Sequence, residues 1–96
     1  MRLVWSKAAA RDLEAVAAYI AQDSEQDAQL VERRIRETAK LLLLIPDAGR
    51  PGRVGGTREM VAPRTPYIIV YRRASDCIHM LRVYHGARRW PPKFDT

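Results

Sequence analysis

The chain is poor in reactive and metal-binding side chains. Its 96 residues include one cysteine, two histidines and one phenylalanine. Cys77 alone cannot close a disulfide within the chain, and no Cys/His cluster has zinc-ligand spacing. Neither metal nor cofactor is expected. No apolar run approaches the ~20 residues that cross a bilayer, so a membrane role is not expected. The opening Met1-Arg2-Leu3-Val4-Trp5-Ser6 lacks an apolar core followed by a small-residue cleavage site, so it does not read as a secretion signal. A cytoplasmic protein is the expectation. Repeats and low-complexity tracts are absent too.

Acidic residues are scarce in one half only. Residues 50–96 hold 10 Lys/Arg against 3 Asp/Glu, whereas residues 1–49 hold 7 against 8. The net charge is +6, and 14 of the 17 basic residues are arginine. Arginine suits bidentate contact with phosphates or carboxylates. An acidic partner is implied, either nucleic acid or an acidic protein segment.

With 47% hydrophobic and 29% charged residues, the chain reads as one globular domain over 1–96. Arg2 to Trp5 reads as a first strand and Ser6 as an N-cap. Leu13, Val16, Ala17 and Ile20 then recur at helical spacing, which predicts a helix over 7–22. Ser24-Glu25-Gln26-Asp27 resembles a capping box with Asp in place of Glu. Ala28, Val31, Ile35, Thr38, Leu42 and Ile45 predict a second, longer helix, ended by Pro46. So short a break between the helices folds them into an antiparallel hairpin. Leu41 to Leu44 and Met80 are core candidates.

Residues 47–56 are a loop by composition and long enough to be a functional one. Three strands follow, Thr57 to Ala62, Tyr67 to Arg73 and Cys77 to His85, separated by Pro63-Arg64-Thr65-Pro66 and Ala74-Ser75-Asp76. The middle one is apolar from Tyr67 to Tyr71, as a central strand covered on both faces should be. The expected fold class is α+β in the order β-α-α-β-β-β. The helical hairpin packs on one face of a small, mainly antiparallel sheet, which the first strand joins at an edge.

Some of the parts for metal-free RNA cleavage are present: imidazoles at His79 and His85, a carboxylate at Glu59, and several arginines. Strict alternation along the last strand puts His79, Leu81, Val83 and His85 on one face, and Ile78, Met80, Arg82 and Tyr84 on the other. Six residues at ~3.4 Å each separate the histidines by roughly 20 Å, too far for an acid–base pair. His85 also reads as a strand-end hydrogen-bonding residue, and Cys77 as an inert strand thiol. Arg50 and Arg53 could hold a phosphate or an acidic side chain, or their glycine-rich loop could serve plain turns. Arg58 and Arg72 read equally well as exposed strand residues. Trp90 could stack a base, but a packing role is the stronger reading.

Gly56-Thr57-Arg58-Glu59, Pro66-Tyr67-Ile68-Ile69-Val70-Tyr71-Arg72 and His85-Gly86-Ala87-Arg88-Arg89-Trp90-Pro91 occur in an order that resembles the RelE/ParE toxins of bacterial type II toxin–antitoxin modules. The resemblance runs from Trp5 through Pro91. It implies a cognate antitoxin that wraps the toxin, here through an acidic amphipathic segment. The RelE-like branch cuts messenger RNA on the ribosome, whereas the ParE-like branch inhibits DNA gyrase. RelE-like nucleases carry an arginine where Ile68 follows Tyr67, and a more basic strand than Arg58-Glu59-Met60. A C-terminal tyrosine is also missing here. The ParE-like branch therefore fits better. On the nuclease alternative, Arg58, Arg82, His85 and Arg88 would be catalytic. Candidate contacts to a target or phosphate are Arg50, Arg53, Arg72, Arg89 and Trp90. An inactive basic binding module is a weaker third reading.

Overall fold

A computed structural model describes residues 1–87. The elements run β1 (Arg2–Trp5), α1 (Lys7–Ala21), α2 (Glu25–Leu41), β2 (Arg50–Pro51), β3 (Arg58–Val61), β4 (Tyr67–Arg73) and β5 (Cys77–His85). The sheet order is β1-β5-β4-β3-β2. β1 lies parallel to β5 at one edge, and the other pairings are antiparallel. The α+β class, the hairpin and the edge position of the first strand match the sequence expectation. The two-residue β2 was not anticipated, because Arg50 and Pro51 sit in a stretch whose glycines read as loop.

Local signals explain where the helices start. Ser6 caps α1 by accepting the Ala9 N–H at 3.0 Å, and its hydroxyl donates to the Leu81 carbonyl at 3.1 Å, tying the helix to β5. Ser24 caps α2 by accepting the Asp27 N–H at 3.1 Å. The Ser24 N–H itself donates to the Ile20 carbonyl of α1 at 3.0 Å, so it closes the hairpin turn.

The second helix stops earlier than its apolar spacing suggests. It ends at Leu41, not Ile45, and Leu43 and Leu44 donate three residues back, to Lys40 and Leu41. Pro46 disfavours helical geometry at Ile45, and the last turn tightens in response. As a result only Leu42 of the Leu41–Leu44 run is fully buried. Leu41 and Leu44 are exposed, Leu44 by 79%, which corrects their assignment to the core.

The helices cover one face of the sheet, where Leu13, Ile35, Leu42, Ile69, Tyr71, Ile78 and Met80 form the main core. Trp5 packs at its margin beneath the Arg36 guanidinium, 5.7 Å from the ring centroid. A smaller cluster of Ile68, Val70, Leu81 and Tyr84 lies on the opposite, outer face, with Val54 of the long loop packed against it.

Strict alternation fails along β5. Val70 pairs with Arg82 but Tyr71 pairs with Met80, a β-bulge that leaves one extra residue on β5. The bulge shifts the facing by one. Met80 and Val83 both join the helix-side core, while Leu81 and Tyr84 both face outward. The expected grouping of Leu81 with Val83, and of Met80 with Tyr84, is therefore wrong.

Candidate functional site

Among the described residues a dense polar network lies on the outer face and at its β2–β3 edge. Its centre is Glu59, whose side chain is only 1% exposed. The carboxylate accepts from Arg50 Nη2 at 3.1 Å and from the Arg53 backbone N–H at 3.0 Å. The Tyr84 phenol shares a side-chain hydrogen bond with it. Burial pushes the Tyr84 phenol above its ordinary pKa, and the adjacent carboxylate adds to the rise. A buried carboxylate is tolerated because these donors replace its water.

A second set of bonds pins the start of the same loop. The Tyr71 hydroxyl donates to the Pro46 carbonyl at 2.8 Å and accepts the Gly49 N–H at 2.9 Å. Arg58 donates to the Gly49 carbonyl at 2.7 Å and the Asp47 carbonyl at 3.3 Å. The Asp47 carboxylate bridges Arg58 at 3.6 Å and Arg73 at 3.1 Å. Gly52 N–H donates to the Thr57 carbonyl at 2.7 Å, and Thr57 N–H to the Val54 carbonyl at 3.2 Å. Residues 46–57 thus form a strap fastened across one edge and over the outer face.

Among the described residues the candidates do not converge. Arg50 and Arg53 belong to the strap, and Arg58, the first residue of β3, bonds to its backbone. Arg72 is exposed on the outer face, opposite His79 in the register. Arg82 turns toward α1, where Asp12 accepts from its Nε at 2.7 Å and its Nη2 at 3.1 Å. Asp12 also accepts the Val83 N–H at 2.9 Å, so the bulge is held by a helix carboxylate. His85 closes β5, accepting the Ala87 N–H through Nδ1 at 3.0 Å and meeting Tyr67 edge to face at 5.4 Å. The hydrogen-bonding role expected for His85 is the one observed. Arg88, Arg89 and Trp90 lie outside the described residues.

The bulge turns the two histidines to opposite faces of the sheet, which excludes an acid–base pair as firmly as the spacing along the strand does. His79 faces outward beside Cys77, with 3.2 Å between its Nε2 and the cysteine Sγ. His85 borders a cleft of about 330 Å³ on the helix side, which Asp12, Val16, Tyr19 and Tyr67 also line. Arg58 pairs with Tyr71 and His85 with Tyr67, four residues apart along β4 and on opposite sides of it, so roughly 17 Å separates them at ~3.4 Å per residue and ~4.8 Å per strand. Among the described residues no three His, Cys, Asp or Glu side chains gather as a metal site, and no helix is long and apolar enough to cross a membrane.

Reading single residues missed the partners: Asp12 for Arg82, Asp47 for Arg58 and Arg73, and Tyr71 for the loop backbone. Only Glu59 carried a signal, as the sole carboxylate within the three motif blocks. Partners 70 and 22 positions away in sequence leave no local trace.

Comparison with known proteins agrees with this architecture. Residues 3–90 match the family described as ParE toxin of type II toxin–antitoxin system, parDE. A protein of Sinorhizobium fredii named as a toxin, Y4kP, is 40% identical over 90 residues, covering 94% of this chain and 93% of its own length. Toxin RelE2 of Caulobacter vibrioides is 34% identical over 87 residues, covering 91% and 97%. A solved structure of a chromosomal ParDE toxin–antitoxin system from P. aeruginosa superposes with a TM-score of 0.80 at 31% identity. That match covers 88% of this chain and 95% of the other.

Proposed function

The chain belongs to the ParE toxin family of type II toxin–antitoxin systems, and from that premise we propose that it arrests growth by inhibiting DNA gyrase until a cognate acidic antitoxin neutralises it. The observation that carries this reading is the outer sheet face. Cleaving a phosphodiester requires fixed positive charge around the developing phosphorane. Here Ile68 belongs to an apolar cluster with Val70, Leu81 and Tyr84, and the Glu59 carboxylate that pairs with Val70 in the register is buried and has drawn in Arg50 and the Arg53 backbone. Arg82 is engaged by Asp12 on the opposite side. Blocking a protein target asks nothing of such a face beyond shape and charge.

The antitoxin follows from the family and from charge. Ten basic residues against three acidic in the second half favour a partner rich in Asp and Glu. Exposed Leu41, Leu44 and Ile45 offer apolar area for an amphipathic segment to cover.

The test is induction in growing cells with DNA and protein synthesis labelled separately. Early loss of DNA synthesis with a DNA-damage response is the expected outcome. An immediate block of translation with cut messenger RNA would instead establish the nuclease. Normal growth would rule out both.

A further inference from the structure

The tip of the strap contains a glycine that the fold itself does not require. Val54 to Thr57 form a turn closed by the Thr57 N–H to Val54 carbonyl bond at 3.2 Å. Gly56, third in the turn, has φ +79°, whereas Gly55, second in the turn, lies outside the left-handed region. That pattern is a type II turn, which demands glycine at the third position and accepts any residue, proline best of all, at the second. Nor does packing require Gly55, because a Cβ built there meets nothing within 4 Å. A glycine at such a site costs folding entropy without a return inside the molecule.

We infer that Gly55 is small because another protein's surface lies against it: the strap tip, with Arg53 beside it, is the element that docks on an acidic patch of the target protein. This rests on the reading of the chain as a gyrase inhibitor. The strap is suited to presenting a contact. Its backbone is held before binding by Glu59, Tyr71 and Arg58, so little ordering is lost on association. Arg53 uses its backbone N–H for Glu59 and leaves its side chain exposed, and the Arg50 side chain stays 59% exposed while bonded to the same carboxylate.

The same geometry argues against nucleic acid and against strand addition. A phosphate cradle directs a run of successive backbone amides outward, but the run is interrupted on both sides of the tip, where the amides of Gly52, Arg53 and Thr57 turn inward. Pro51, in the edge strand β2, removes a donor that an added strand would need.

The test measures plasmid supercoiling by purified gyrase with the unaltered chain, Gly55→Ala, Gly55→Leu and Arg53→Gln. Ser75→Leu, in the exposed turn between β4 and β5, serves as the control. The Gly55 variants should melt no lower than the unaltered chain. Gly55→Leu and Arg53→Gln should raise the inhibitory concentration about tenfold or more, with Gly55→Ala between and Ser75→Leu unchanged. Full inhibition by a folded Gly55→Leu overturns the inference while leaving gyrase inhibition standing. A loss of binding to plasmid DNA alone, matching the loss of inhibition, overturns it in favour of a phosphate partner. An unaltered chain that leaves gyrase active overturns the functional reading and this inference together.

Discussion

Gly49 and Tyr71 are fitted to each other. The glycine N–H donates to the phenol oxygen at 2.9 Å, and a Cβ on residue 49 would stand 2.6 Å from that same oxygen. Tyr71 is fully buried and its hydroxyl also holds the Pro46 carbonyl, so the ring cannot swing aside. Gly49→Ala should destabilise the protein by about 1–3 kcal/mol through overpacking. Tyr71→Phe should cost about 1–3 kcal/mol because two backbone groups lose their partner. Combined, the two should cost less than their sum, since the phenylalanine removes one of the atoms the new methyl strikes. Denaturation midpoints of the two single variants and the double variant decide this.

Asp12 holds the bulge in place. Asp12→Asn removes the charge that faces Arg82 and cannot accept as well from both the guanidinium and the Val83 N–H. A loss of about 2 kcal/mol is expected, most of it persisting in high salt because both side chains are largely shielded. A loss that vanished with added salt would mean the contact behaves as a surface pair.

Glu59→Gln keeps the shape of the side chain but presents an amide N–H₂ where donors converge. The expected cost is about 1–3 kcal/mol. The backbone amides of residues 50–57 should exchange faster than those of β4 and β5, because the strap loses its latch while the sheet does not. Uniform acceleration across the sheet would show that Glu59 supports the whole fold instead.

His85→Ala separates the two chemistries. An inhibitor that blocks a protein surface should keep growth arrest within a few-fold, whereas a nuclease using this imidazole should lose about 10²–10⁴ in rate. Stability should fall by about 0.5–1.5 kcal/mol, the value of the edge-to-face contact with Tyr67.

Alkali should unfold the protein through its tyrosines. Burial raises the phenols of Tyr67, Tyr71 and Tyr84 above the ordinary 10.0. Each folded-state value is higher than the unfolded one. The associated stability is complete below pH 10 and drains away as pH climbs through the folded-state values. Melting temperature should therefore be flat on this account up to about pH 10 and then fall, with tyrosinate absorbance rising alongside unfolding.

Much of the fold was legible because its determinants are local. The Ser6 and Ser24 caps, the helical spacing of apolar residues and the turn residues between strands act within a few positions of themselves. β4 and β5 accordingly begin and end where composition places them. The later part of α2 was misread because the spacing of Leu42 and Ile45 persists in a turn that Pro46 tightens. β2 was missed because two residues have no pattern of their own.

The site was legible only as an inventory. Sequence alone determined which charges and aromatics the chain owns, their sharp asymmetry between halves, and the absence of a paired histidine chemistry. Tertiary structure decided how they are spent. It sent Arg82 to Asp12 and Arg58 to the strap, closed Glu59 beneath Arg50 and Tyr84, and used one bulge to turn the two histidines to opposite faces. Those outcomes depend on partners from distant segments and on a one-residue change of register, and neither leaves a mark on the neighbouring residues of the chain.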